Sequence, residues 1–285
     1  MATSPLGRVG WIGLGAMGLP MAVRIAQAGY QVTGWDLDPE RMRLAGAHGL
    51  TTISIATAAD PADVARHSDI IGLCLPHGDA VTSAIFGDDG CVHGGMSGKL
   101  VIDTTTVDPV QTRALATRLA EMGGAWIDAP VSGGVRSAED GTLATFLGGA
   151  DADVARALPI VAAFAERPIH LGASGTGQWV KLLNQAIVCG TIALWAEALE
   201  LAHAAELDPH MVVEALAGGG ADSRVRAAFG PALAAGHFTP SANLTKDSRL
   251  VLDRMRDAGA DTALFEAVSA RLLALKGRRA PAAGS

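Results

Sequence analysis

The sequence is poor in aromatic residues: six Phe, five Trp and one Tyr make up 4% of its 285 residues. Ala, Gly, Val and Leu take their place, which suits close packing of helices on a sheet better than a β-sandwich. Cysteine is scarce as well. Cys74, Cys91 and Cys189 are odd in number, far apart and without metal-ligand spacing. That excludes a disulfide framework, and reduced thiols in a cytoplasmic protein are expected. No run of Lys or Arg occurs outside "LKGRRA", and the net charge of -7 argues against nucleic acid as a partner. The N-terminus lacks a charged segment followed by an apolar one, and the apolar runs are broken by Gly or charge well short of a membrane span. Neither an export signal nor a transmembrane helix, and so no membrane partner, is expected. The histidines show no metal-ligand spacing, so no metal is expected either.

What the sequence does have is alternation. From Arg8 to about Leu171, short apolar runs ("RVGWI", "QVTGWD", "DIIGLCLP", "KLVIDTT", "AWIDAPV") are separated by amphipathic helical stretches such as "PVQTRALATRLAEMG". This pattern predicts an α/β fold with a parallel, doubly wound sheet. Pro109 fits a first helical turn and Gly123 a helix C-cap. After about Ser174 the strand-like runs stop, and helices separated by "ELDPH", "GGGADS", "GHFTPSAN" and "DAGADT" follow. The expected organisation is a dinucleotide-binding domain over 1–172 and an all-α domain over 173–276, with a small, polar tail at 277–285 taken as disordered. A linking helix over about 175–205, roughly 30 residues, would span about 45 Å.

In "VGWIGLGAMGLPMA" the spacing G-x-G-x-x-G falls on Gly13, Gly15 and Gly18, after a strand and before a helix. Such a loop turns tightly at the first Gly, admits a pyrophosphate at the second and packs closely at the third, so Gly13, Leu14, Gly15, Ala16, Met17 and Gly18 are candidate cofactor contacts. A chain with 35 Gly produces this spacing by chance, so its context matters. Asp36 supplies that context at the end of the second strand, where a carboxylate binds ribose hydroxyls and repels a 2′-phosphate. NAD is therefore expected in preference to NADP. The alternative is that Asp36 only caps the next turn.

Two further stretches draw notice. "DAPVSGG" puts Ser132, Gly133 and Gly134 after a strand, where freed N–H groups and a hydroxyl can meet a carboxylate, although such a loop can equally be a plain turn. "GQWVKLLNQAIV" sets Lys181 and Asn184 on one face of an otherwise apolar helix. Lys181 either snorkels to solvent or lines a cleft beside a nicotinamide, where desolvation and a like charge would lower its pKa and let it exchange protons.

"GWIGLGAMGLPMA", "DAPVSGGVRSAEDGTLATFLGG", "GTGQWVKLLNQ" and "LTKDSRLVLD", in this order and spacing, cover nearly the whole chain. In them the chain resembles the β-hydroxyacid dehydrogenase family, which includes 3-hydroxyisobutyrate dehydrogenase and tartronate semialdehyde reductase. The resemblance implies hydride transfer between a nicotinamide cofactor and a small 3-hydroxy acid, with Lys181 as catalytic acid and base. It also implies that Asn184, Ser132, Gly133 and Gly134 hold the substrate, that Leu75, Pro76 and Thr106 touch the nicotinamide half, and that Lys246 reaches the cofactor. A homodimer or homotetramer is the assembly it implies.

The chain departs from the family at Gln185, where a second Asn is common, and at Val135, Arg136, Ser137, Thr105, Ser248, Arg249 and Arg224. Arg224, or Arg136, either meets a second anionic group on the substrate, a carboxylate or a sulfonate, or is a solvated surface residue. Rival readings are an imine reductase, against which Lys181 speaks, and a larger 6-phosphogluconate dehydrogenase, for which the helical part is too short. A third is an NAD-binding sensor or scaffold that has lost turnover.

Overall fold

The computed structural model describes residues 6–47 and 55–275; the expected tail at 277–285 lies outside them. Two compact units divide the chain, one ending at Lys181 and the other beginning at Leu182.

The first unit is built on a six-stranded sheet. Its strands are β1 (Arg8–Ile12), β2 (Gln31–Trp35), β3 (Ile55–Thr57), β4 (Ile70–Leu73), β5 (Leu100–Asp103) and β6 (Ala125–Asp128). They lie in the order β3-β2-β1-β4-β5-β6, and every pairing is parallel. This is the doubly wound Rossmann order, and the chain reverses its direction of travel across the sheet between β1 and β4. The helices between these strands are α1 (Gly18–Gln27), α2 (Pro39–Ala47), α3 (Pro61–Arg66), α4 (Gly78–Phe86) and α5 (Pro109–Ala120). One apolar cluster gathers Trp11, Met21, Ile25, Ile102, Ile127 and Phe164; another gathers Ile12, Ile71, Leu73, Val101 and Trp126. Central strands covered on both faces explain why these runs are continuously apolar. Pro109 opens α5 at its first turn, as expected. The cap at its other end is Glu121, and Gly123, expected there, takes the left-handed conformation two residues later (φ 76°).

A second, three-stranded sheet was not foreseen. It comprises β7 (Val131–Ser132), β8 (Leu143–Leu147) and β9 (Ala165–His170), with β7 antiparallel and β9 parallel to β8. Between them run α6 (Gly134–Asp140) and α7 (Asp151–Val161). At two residues β7 is too short for any periodicity to mark it.

The chain then enters α8 (Thr176–Ala204), a helix of 29 residues. The change of pattern near Ser174 thus marks the start of this helix, and the division between compact units falls inside it. In the second unit α9 (Pro209–Ala215), α10 (Arg224–Ala234), α11 (Ala242–Asp257) and α12 (Ala263–Ala274) follow. Leu182, Cys189, Ile192 and Ala196 of α8 pack there with Val251, Leu252, Phe265 and Leu272. By length and composition α8 is also apolar enough to cross a membrane, and 44% of its most apolar window is buried within the protein. The expectation that no segment has this character is therefore corrected. Gly190, Asn184 and Gln185 interrupt the apolar run, but Lys181, Glu197 and Glu200 are the only acidic or basic residues along it apart from His203 near its end.

Candidate active site

In a doubly wound sheet the carboxyl ends of the strands flanking the reversal point form a crevice suited to a ligand. The residues singled out in the first unit fall at those ends. The Gly13–Gly18 loop follows β1, Asp36 follows β2, Leu75 and Pro76 follow β4, Thr106 follows β5, and Asp128 ends β6. Adjacent strands are in register there, Ile12 beside Trp35 and Leu73, and Asp103 beside Leu73 and Asp128.

The glycines of the first loop divide by what surrounds them. Gly13 has φ +96°, and a Cβ there would overlap the Cys74 carbonyl; a Cβ on Gly18 would overlap the Gly13 carbonyl. At Gly15 an added Cβ meets no heavy atom within 4 Å. Two glycines therefore let the protein close on itself, while the third faces open space where a phosphate can approach the backbone. Helix α1 carries no side-chain cap and no acidic residue in its first turn, so its N-terminal N–H groups and positive dipole end suit an anion. Asp36 joins this loop: its carboxylate accepts a hydrogen bond from Leu14 N at 2.6 Å and one from Asp38 N at 2.9 Å. The turn-capping reading of Asp36 is thus correct as far as it goes, and the same carboxylate also faces the glycine loop. These features fit a dinucleotide.

The loops after β4 and β5 are tied together, with Leu75 N donating to Thr105 Oγ1 at 3.0 Å and Thr104 Oγ1 donating to the Leu73 carbonyl at 2.6 Å. Ser132 ends β7, opposite Ala144 of β8. Gly133 (φ 141°) and Gly134 (φ 78°) turn the chain into α6, both are exposed, and a Cβ on Gly134 would meet nothing within 4 Å. The turn and anion-site readings of this segment are therefore compatible. Arg136 lies at the surface beside Asp140, 3.6 Å away.

Lys181 is 7% exposed, which excludes snorkelling to solvent. Its helix is held by two residues that sequence reasoning passed over. Asp128, fully buried, accepts hydrogen bonds from Gly175 N at 2.7 Å and Gln178 N at 3.0 Å, so a strand-end carboxylate caps the N-terminus of α8. Burial pushes this carboxyl up, while the N–H groups of Gly175, Gln178, Asp128 itself and Gly177 pull it back down. Gln178, also fully buried, donates from Nε2 to the Thr105 carbonyl at 2.7 Å and accepts at Oε1 from Val107 N at 3.1 Å. Lys181 lies three residues after Gln178, on the same face of α8. A strand-end Asp two residues ahead of a Pro and a lone Gln opening an apolar helix were the available signals; both have commoner explanations.

The second unit holds the other candidates. Asn184 Nδ2 donates to Gln185 Oε1 at 3.0 Å, and Gln185 Nε2 donates to the buried Asp247 Oδ2 at 2.7 Å. Lys246 Nζ lies 3.2 Å from Asp247 Oδ1. Arg224 is exposed at the first position of α10. His77 caps α4, accepting from Ala80 N at 3.2 Å, and His237 is exposed.

Comparisons with known proteins identify the family. Residues 8–172 match the NAD-binding domain of 6-phosphogluconate dehydrogenase, and residues 175–283 match the family described as NAD-binding of NADP-dependent 3-hydroxyisobutyrate dehydrogenase. The chain is 36% identical over 248 residues to 2-hydroxy-3-oxopropionate reductase of Escherichia coli strain K12, covering 86% of this chain and 83% of that protein. It is 35% identical over 233 residues to 3-sulfolactaldehyde reductase of the same organism, covering 82% and 72% respectively. Among solved structures, 3-hydroxyisobutyrate dehydrogenase of Mycobacterium tuberculosis with L-serine is similar with a TM-score of 0.80 and 27% identity, covering 93% of this chain and 91% of that one.

Two outcomes are expected. Gly15→Ala leaves the thermal midpoint unchanged but weakens dinucleotide binding about tenfold or more, the loss of ~1.4 kcal/mol, by fluorescence titration. Asp128→Asn turns an amide N–H towards the helix N–H groups and costs about 1–3 kcal/mol of stability in urea denaturation.

Proposed function

Because the chain belongs to the β-hydroxyacid dehydrogenase family of oxidoreductases, we propose that it interconverts a small 3-hydroxy acid and its semialdehyde using NAD, with Lys181 as general acid and base. The observation that carries this reading is a buried lysine on a helix whose start is bonded to the end of β6 and the loop after β5. The dinucleotide, when bound, supplies the hydride acceptor or donor.

Lys181 performs the proton half of the reaction. In oxidation its uncharged Nζ accepts the substrate hydroxyl proton, directly or through one water; in reduction its ammonium returns a proton to the aldehyde oxygen. Asn184, one turn along α8, orients the lysine and the substrate oxygen. Ser132 Oγ and the N–H groups of Gly133 and Gly134 bind the substrate carboxylate, a role supported by the open space at Gly134. Gly13, Leu14, Gly15, Ala16, Met17 and Gly18 cradle the pyrophosphate, Asp36 takes the ribose hydroxyls, and Leu75, Pro76, Thr106 and Lys246 serve the rest of the cofactor. The preference for NAD rests on the Asp36 charge, which a 2′-phosphate would face beside Leu14.

The named relatives act on short aldehydes or hydroxy acids bearing an anionic group, so 3-hydroxyisobutyrate, 2-hydroxy-3-oxopropionate and 3-sulfolactaldehyde form the substrate panel. Arg224 and Arg136 are the candidates for a second anionic group. The protein works as a homodimer or homotetramer: Leu183, Ile187, Leu194 and Leu201 form an exposed apolar stripe along α8, between 62% and 71% accessible, that a second copy would cover.

Steady-state kinetics test the assignment. Lys181→Ala lowers kcat by about 100-fold or more while NAD affinity stays within a few-fold; near-normal turnover would sink the proposal. Asp36→Ser moves the NAD to NADP ratio of kcat/KM towards NADP by about tenfold, ~1.4 kcal/mol, and an unchanged ratio would remove Asp36 from cofactor selection.

A further inference from the structure

The amides of Asn184 and Gln185 and the carboxylate of Asp247 form a chain in which each hydrogen bond points the same way. Asn184 Nδ2 donates to Gln185 Oε1, and Gln185 Nε2 donates to Asp247 Oδ2. A carboxamide presents a donor at one end and an acceptor at the other, and only its partners decide which end goes where. Here one partner has no choice. An ionised carboxylate only accepts, so Asp247 forces Gln185 to present its NH2; Gln185 Oε1 then faces Asn184, which must present its own NH2 in turn. The Gln185–Asp247 link is shielded from water, with these residues 8% and 4% exposed, while Asn184 is half-buried. The Lys246 ammonium lies 3.2 Å from the other carboxylate oxygen of Asp247.

We propose that Gln185 is a positioning residue: it carries the polarity of the buried Asp247 carboxylate to Asn184, so that the Asn184 carbonyl Oδ1, turned away from Gln185, is the acceptor offered to the proton-transfer step. The inference rests on the assignment of Lys181 above. A carbonyl there accepts a hydrogen bond from the lysine and leaves the substrate hydroxyl proton to the lysine Nζ. An NH2 in its place would repel the ammonium. Gln185 itself touches neither group in this account and acts only through Asn184.

The test uses Gln185→Met, which keeps volume and removes both hydrogen bonds, and Asp247→Asn, whose amide fits either orientation. Each is measured alone and in combination, in oxidation of 3-hydroxyisobutyrate and in reduction of 2-hydroxy-3-oxopropionate with NADH. Each single variant is expected to lower kcat at least about tenfold with KM for the dinucleotide little changed, to lower the thermal midpoint modestly because a buried group loses its partner, and to raise the primary deuterium isotope effect on kcat as chemistry becomes rate-limiting. The double variant falls no further than the worse single one, since both break the same chain. A shift in KM and midpoint with kcat intact would mean a structural role only, and multiplicative losses would mean two independent roles. Either overturns the relay. Lys181→Ala separates the two levels: if it retains turnover, the reaction assignment fails, whereas an inactive Lys181→Ala beside a fully active Gln185→Met refutes the relay alone. Should Gln185→Met fail to fold, Asp247→Asn decides the matter by the same readouts.

Discussion

A single buried carboxylate, that of Asp128, fixes where the long helix begins. It ends the last strand of the parallel sheet and receives the N–H groups of Gly175 and Gln178, from residues 47 and 50 positions further along the chain. The N–H groups at the helix start offset part of what burial costs this carboxyl, which is still held above the usual carboxylate range. Gly177 makes the close approach feasible, since a Cβ there would overlap the Phe146 carbonyl and crowd Asp128 Oδ2. Gln178 then adds two bonds to the loop after β5. These four bonds fix the first turns of the helix, where Lys181 sits.

The same economy governs the carboxyl edge of the sheet. Parallel strands end together, so the loops after β1, β2, β4 and β5 meet without a long excursion by any of them. Gly13 and Gly18 bring the first loop close to the sheet, and Thr104 and Thr105 fasten the loop after β5 to that after β4. Rigid strand ends therefore carry the candidate cofactor residues, and an arrangement of this kind needs little reorganisation on binding.

Much of this was legible in the sequence because it is encoded locally. Alternation of apolar runs and helices announced the parallel sheet, the glycine spacing marked the loop after β1, and the run from Thr176 onwards read as one long helix. The features that escaped notice are those made by distant pairs. Asp128 reads as a turn residue until Gly175 meets it, Gln178 as an odd polar residue until Thr105 and Val107 do, and Gln185 as a mere departure from a family habit until Asp247 lies 2.7 Å away. The small second sheet escaped for another reason: β7 has two residues, and β9 contains Glu166, Arg167 and Pro168 in place of an alternating pattern.

The continuity of α8 has a consequence for how this chain can vary. Each residue added to a helix turns everything beyond it by about 100° and moves it about 1.5 Å. One residue gained or lost between Gln178 and Lys181 would swing the lysine a quarter-turn off its face while Asp128 still held the helix start. One between Lys181 and Gln185 would part the lysine from the amide chain. Length changes are therefore barred from this segment, even where each side chain alone would tolerate replacement, and fall instead to the loops that follow Ala204 and Ala215. The helix thus acts as a phase reference, with the spacing of residues 178, 181, 184 and 185 as firmly fixed as their identities.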